Sequence, residues 1–388
     1  MKNSLLIVSI LLLFPILCFS QKNSFQGKVI DEKTKEAIPF VNIGVENKPL
    51  GTITDDRGFF SISNIKADNN LVFSCIGYKS KKLSFLELSN TKIISLTPQA
   101  RELSEVTITG MTAKAVIKEA LKRIDDNYYT SDIYLDVSYN KIGKNKDSIF
   151  FMTNLNGIYK HKGYDNLNLE IKPVYSNMQT INSESSEFNI KQIDFVTQMD
   201  YLKSILNRFE YSMDIVYDSN KESSYIITMN NKNNKPVIIP FYVRVNPRIT
   251  KFVINCNDFA ITKIEVIIDI NANEKFFNNF YYKSRIHKVY SVHNYTKFKG
   301  KYLINNVFQK SIMEIIPKEG FEKIKKEYVV EEGINEYKGL FNINNVYFSE
   351  SEFTDKRETN KEIKTFDELK EIDEFKILLM DDKEYSFQ

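Results

Sequence analysis

The sequence predicts a mainly β protein: an N-terminal transthyretin-like seven-stranded β-sandwich followed by a larger α+β domain with a curved antiparallel sheet. From Phe25 to about Thr97 short strand-like runs are cut by turn residues. From residue 131 to about 350 longer runs alternate apolar and polar residues between polar turns, as in a meander with one solvated face. Between the two regions lies a clear helical stripe. The expected division is a signal peptide at 1–20, the sandwich at 21–98, a connector at 99–111, and a helix plus large sheet with a charged C-terminal segment at 112–388.

The first twenty residues, MKNSLLIVSILLLFPILCFS, combine one lysine, the apolar run Leu5 to Phe19 and a small-residue exit. That is the pattern of a secretory signal, with cleavage after Ser20 leaving Gln21 first. The expected location is therefore outside the cytoplasm, in the periplasm or at the outer membrane or cell surface. Cys18 follows the bulky Pro15-Ile16-Leu17, which suits plain cleavage better than lipidation, although peripheral membrane association stays open. No other stretch of 18 apolar residues exists to span a bilayer as a helix. Polar linkers and two helical patterns argue against a full membrane barrel.

With 53 Lys plus Arg against 50 Asp plus Glu, the balance of +3 gives no reason to expect nucleic acid as a partner. Two cysteines lie beyond the leader, Cys75 and Cys256, in different expected domains, so no disulfide framework is expected. Cys75 continues the alternation Leu71, Phe73 and reads as a small inward-facing apolar residue.

In the first domain the clearest strands are FQGKVI, IPFVNIGV, GFFSI, LVFSCIGY and TKIISL. Phe25, Gly27 and Val29 alternate with Gln26 and Lys28, so one face of each strand needs a second sheet to bury it. Thr54-Asp55-Asp56-Arg57-Gly58 reads as a turn, with aspartates bonding back to the backbone and glycine supplying positive φ. A calcium loop would need more oxygen ligands at defined spacing.

GKVIDEKTKEAIPFVNI, GTITDDRGFFSI and LVFSCIGYKS, in that order, resemble the carboxypeptidase-regulatory-like domain of secreted and outer-membrane proteins of Bacteroidetes-type bacteria. Gly27, Pro39, Val41, Gly51, Thr52, Asp55, Gly58, Phe60, Gly77 and Tyr78 carry the match. The resemblance implies the transthyretin-like sandwich and an accessory or binding role, or simply a stable spacer, because this module accompanies carboxypeptidases without being their catalytic part. The chain also has no HxxE pair and no HExxH helix.

Glu102 to Gly110 resembles the segment that joins this module to the plug of TonB-dependent receptors, but the remaining chain is too short for a plug and a long barrel. A final strand and connector is the simpler reading. Ala113, Val116, Ile117, Ala120, Leu121 and Ile124 then form one apolar helical stripe, with Thr112 as a candidate cap. Packing on the following sheet suits these modest side chains better than lying on a membrane.

Within the large domain the strand-like runs are SIFFMTNLNGIY, MDIVYDS, SYIITMN, TKFVINC, AITKIEVIID, RIHKVYSVHNY and KYLINNVFQKSIMEII. Leu202, Ile205, Leu206 and Phe209 suggest a second helix. The order helix then meander resembles uncharacterised second domains attached to this sandwich, and the strand rhythm resembles the open half-barrel of lipoprotein-carrier proteins. The latter implies a concave face able to bury an acyl chain or an apolar protein segment. The abundant aromatics, including the pairs Tyr128-Tyr129 and Tyr281-Tyr282, read first as sheet and core packing. The tail from Thr354, with Phe366, Leu369, Ile372 and Phe375 and then KILLMDD, is expected to cover an open sheet edge.

No chemistry-bearing motif stands out. His161, His287 and His293 have no carboxylate at zinc-peptidase spacing, no GxSxG elbow exists, and no Cys-His pairing has motif support. His287 and His293 lie six apart and read first as surface or hydrogen-bonded histidines. No catalytic, cofactor-binding or metal residue is therefore assigned. The leading expectation is a non-enzymatic cell-envelope protein that binds an envelope or outer-membrane protein or an apolar ligand, with the sandwich as accessory module. The alternative is a secreted hydrolase, glycan- or peptide-directed, which requires a polar cleft of converging ionisable groups.

Overall fold

The structure, a computed structural model, describes residues 24–99, 110–146, 148–164, 171–181, 193–217, 223–231, 237–239, 242–245, 249–269, 277–278, 282–318, 333–353 and 378. The expected leader, most of the expected connector and all of the tail except Leu378 lie outside these residues.

Among them, seven strands form the N-terminal part: β1 (Phe25–Asp31), β2 (Asn42–Val45), β3 (Gly51–Ile53), β4 (Phe59–Ile62), β5 (Asn70–Ser74), β6 (Lys81–Ser84) and β7 (Ile93–Leu96). They make a three-stranded sheet, β4-β1-β7, and a four-stranded sheet, β3-β2-β5-β6. Alternate residues of β1 point inward, and Val29 meets Val41, Ile43, Phe60, Leu71 and Phe73 in one core. Strand alternation thus does what it implies: each sheet buries one face on the other. A short helix, α1 (Phe85–Ser89), was not apparent from periodicity because it is little more than one turn long. Its signal is a capping box instead: Ser84 accepts from the Glu87 amide while the Glu87 carboxylate accepts from the Ser84 amide.

The Asp55 turn is built as its residues suggest. Asp55 Oδ1 accepts from the amides of Arg57 and Phe59, both at 2.9 Å. Gly58 sits at φ +82°, where a Cβ would also lie 2.7 Å from the Val29 carbonyl oxygen.

The larger part is built on a sheet of β8 (Ile133–Asn145), β9 (Ser148–His161), β10 (Ile171–Ile181), β11 (Phe209–Tyr217), β12 (Ser223–Asn231), β15 (Ile249–Asn255), β16 (Ile261–Asp269), β18 (Tyr282–Phe298), β19 (Lys301–Pro317) and β20 (Gly333–Tyr347). The order is β10-β9-β8-β20-β19-β18-β16-β15-β12-β11, all antiparallel, and the sheet does not close. The short β17 (Phe277–Asn278) pairs with β18, and β13 (Val237–Ile239) with β14 (Tyr242–Val245) forms a separate hairpin. Pairing of β20 with β8 joins the late strands of the domain to its first.

Helix α2 (Ala113–Lys122) starts where Thr112 accepts from the Ala115 amide, and it buries Ala113, Val116, Ile117, Ala120 and Leu121. A short helix α3 (Ile124–Asn127) follows. Helix α4 (Met199–Ile205) corresponds to the second stripe, but it ends four residues before Phe209. Leu206–Arg208 form a 3-10 turn and Phe209 begins β11, paired with Asn231. Strand pairing takes over the backbone there, while Ile205, Leu206 and Phe209 remain buried.

These helices cover one face of the sheet, the front. Val116, Ile117 and Leu121 join Leu135, Val137, Leu155, Ile264, Val266, Ile268 and Phe341 in a single core. The other face, the back, is covered by the sandwich. Ile53 and Phe40 pack with Ile142, Met152, Val292, Phe308 and Leu340, and the Phe40 ring lies 4.2 Å from that of Tyr290. Leu378 is buried in the same cluster, which puts this tail residue on a face of the sheet rather than at an edge.

Polar contacts ring this apolar centre. Asn306 Nδ2 donates to Asn42 Oδ1 at 3.0 Å and to the Thr52 carbonyl at 3.2 Å. Asn305 donates to the Pro49 carbonyl. Lys310 Nζ lies 2.6 Å from Asp56 Oδ2 and 3.2 Å from Glu336 Oε2. Burial alone would raise the Asp56 carboxyl, but the bond and charge of Lys310 hold it below its ordinary value.

Candidate functional site

Front-face residues converge at one point. Asp194 is wholly buried and precedes the 3-10 turn Phe195–Gln198 that leads into α4. Its Oδ2 accepts from the Tyr164 hydroxyl at 2.6 Å, and its Oδ1 accepts from the Tyr295 hydroxyl at 3.0 Å and the Val196 amide at 3.2 Å. The Tyr164 oxygen in turn accepts from the Ile304 amide at 3.1 Å. Two strands (β18 and β19), the loop after β9 and the segment before α4 are thereby tied to one carboxyl group.

The histidines fall around and away from this point. His161, also wholly buried, accepts at Nδ1 from the Gly163 amide at 3.1 Å, and its Nε2 lies 3.9 Å from Asp194 Oδ2. No partner among the described residues reaches that Nε2 within hydrogen-bond distance. His293 Nδ1 lies 2.8 Å from the Ile193 carbonyl oxygen, and Nε2 lies 3.1 Å from Ser291 Oγ. The carbonyl can only accept, so Nδ1 carries the proton and Nε2 accepts from serine. Burial pushes this imidazole down to about 4, although the bond to Ile193 and the charge of Asp194 pull the other way. His287 is half-buried instead, 3.0 Å from Glu314 Oε2, which also pairs with Arg285 Nη2 at 2.6 Å. His287 and His293 thus have different partners and share no site. Among the described residues no group of three His, Cys, Asp or Glu side chains can hold a metal ion.

Aromatic rings close the cluster. Tyr128 is 1% exposed and packs on Tyr164, Tyr295 and Tyr302 with ring centroids 5.0 to 6.0 Å apart. Its hydroxyl donates to the Ile261 carbonyl at 2.5 Å, and that of Tyr129 donates to the Phe298 carbonyl at 2.5 Å. Burial, then the nearby Asp194, raise the Tyr128, Tyr164 and Tyr295 phenols well above their ordinary value. The Tyr128-Tyr129 pair is therefore core; Tyr281 lies outside the described residues and Tyr282 is half-buried on β18. Cys75 and Cys256 are both free thiols.

Sequence reading missed Asp194 and Tyr164. Neither stands in a motif, and they lie 30 residues apart, so only the tertiary fold unites them. The cluster joins an acid, two histidines and three tyrosines, but each lies within the packed interior. Its hydrogen bonds among the described residues go to its own members, to Ser291 and to backbone, which is how a fold anchors a segment.

Asp194→Ala should lower unfolding free energy by about 3 kcal/mol, because the Tyr164 and Tyr295 hydroxyls lose their acceptor in a buried site. Urea denaturation measures this, and wild-type stability in the variant would remove the hub from the account. His293 gives a pH dependence. The unfolded imidazole takes up its proton near 6.5, the folded one only near 4. Stability from this residue is complete above 6.5 and is lost as pH falls toward 4, by about 3 kcal/mol in total. His293→Gln should flatten the wild-type slope across that window; an unchanged slope would contradict the assignment.

No curated protein matches this chain. A crystal structure of a LolA superfamily protein from Nitrosomonas europaea is similar at 12% identity and TM-score 0.22, covering 64% of this chain and 98% of that one. A putative outer membrane lipoprotein-sorting protein domain from Vibrio parahaemolyticus gives 8% identity and TM-score 0.26, over 63% and 98% of the two chains. A DUF1329 family protein from Desulfovibrio piger gives 10% and 0.24, over 61% and 93%. At these scores the likenesses assign no function. Residues 25–108 match the CarboxypepD_reg-like domain family, so the chain carries a domain of that family ahead of its larger β-rich part.

Proposed function

We propose that the protein is a non-enzymatic cell-envelope protein in which the sandwich is an accessory module fixed to the back of the large sheet, while the front face binds an apolar ligand. One observation carries the reading. At both ends of the open sheet, front-face apolar side chains stay partly exposed while their inner neighbours are sealed. Met178 is such a residue on β10, and Tyr211, Met213 and Ile215 are others on β11. An apolar molecule laid against either end removes that surface from water, at roughly 25 cal/mol per Å². Export rests on the apolar run from Leu5 to Phe19.

A protein partner is the second reading. It is favoured by the position of β11 at one end of the strand order, where an added strand can extend a sheet. The hydrolase alternative has less support. It needs ionisable groups that meet a substrate, and the group that converges here is buried and hydrogen-bonded within itself.

Binding of a neutral apolar fluorophore such as N-phenylnaphthylamine tests the proposal. The chain without residues 1–20 should enhance its emission saturably. Met178→Asp or Ile215→Asp should weaken binding about tenfold, depending on which end is used. Absence of saturable binding, or turnover of an ester, glycoside or peptide substrate by the same preparation, would overturn the proposal.

A further inference from the structure

The front face has a polar rung. Register places Thr153 (β9) opposite Lys141 (β8), Lys141 opposite Gly339 (β20), Gly339 opposite Gln309 (β19) and Gln309 opposite Ser291 (β18). The rung beside it is apolar: Leu155, Tyr139, Phe341 and Val307. On the opposite side lie Phe151 and Tyr337, paired with Gly143. Ile142, the next residue of β8, belongs to the back cluster, which fixes Lys141 on the front.

Lys141 stands in an aromatic frame. Its Nζ lies 5.5 Å from the centre of the Phe151 ring and 5.6 Å from that of Tyr337. The frame depends on glycine: a Cβ at Gly143 would collide with the Phe151 ring, and the Tyr139 ring lies against Gly339. No carboxylate among the described residues compensates the ammonium. Burial pushes it below its ordinary value, with no neighbouring charge acting in the other direction. Lys141 is half-buried, and a cation partly withdrawn from water without a counter-ion is costly, with ring faces offsetting only part of that cost.

We propose that Lys141 is the head-group determinant of the front-face site, and that the ligand is an amphiphile with an apolar chain and one anionic head, a carboxylate or a phosphate. This rests on the apolar-ligand reading above and specifies it. The anion supplies the missing charge at the ammonium, Thr153 and Gln309 flank it with polar groups, and the chain lies along Tyr139 and toward Met178. Met178 pairs with Leu155 on the neighbouring rung, so the apolar path is continuous with the rung of Tyr139.

The test displaces N-phenylnaphthylamine from the chain without residues 1–20, using dodecanoate, dodecyl phosphate and dodecanol. Both anions should compete at concentrations at least about tenfold lower than the alcohol, and the better of the two identifies the head. Lys141→Met should abolish the preference of the anions over the alcohol, and Lys141→Arg should retain it. Equal competition by alcohol and anions, or a preference that persists in Lys141→Met, overturns the proposal while the apolar-ligand reading stands. Failure of all three compounds and of the fluorophore overturns that reading and this one together. Circular dichroism of both variants separates lost recognition from lost folding.

Discussion

Two-sided burial of one open sheet is the constraint on which the structure depends. Ten antiparallel strands with apolar residues on both faces cannot stand in water, and this sheet is not closed into a barrel that would hide one face. Helices α2 and α4 answer for the front. The sandwich answers for the back, through Phe40 and Ile53 against Phe308, Val292 and Leu340. The N-terminal domain is thus a wall of the larger one rather than a tethered neighbour.

The polar groups divide along the same line. On the back, Asn306 meets Asn42 and Thr52, and Lys310 meets Asp56, around an apolar centre, so orientation is fixed by directional bonds and affinity by packing. On the front, Asp194 ties the segment before α4 to β18 and β19. Both sets are spent on architecture. Apolar surface at the ends of the front face and the Lys141 ammonium are not spent in this way, which is why the function proposed is binding.

Much of the fold was legible in the sequence because it rests on local periodicity. Ile264, Val266 and Ile268 alternate and are buried together; Val116, Ile117, Ala120 and Leu121 share a stripe and a core. Asp55 and Gly58 wrote a turn that forms. The second helix was half legible: its apolar residues are buried, but Phe209 belongs to a strand because pairing with β12 is a long-range choice. Capping by Ser84 and Glu87 was readable in principle and escaped a periodicity search. The site was not legible. Asp194 meets Tyr295 across 101 residues of sequence, and Lys141 acquires its meaning only from Phe151 on the next strand and Tyr337 near the far end of the domain. Nor did Asp56 announce that its partner would be Lys310, 254 residues away.

If the sandwich is structurally part of the large domain, the two must open together. Native-state hydrogen exchange measured against denaturant tests this most directly. The account predicts that amides of β2 and β3 in the sandwich and of β19 and β20 in the large sheet share one opening free energy and one denaturant dependence. Exchange of the sandwich at much lower denaturant, with β19 and β20 still protected, would contradict it.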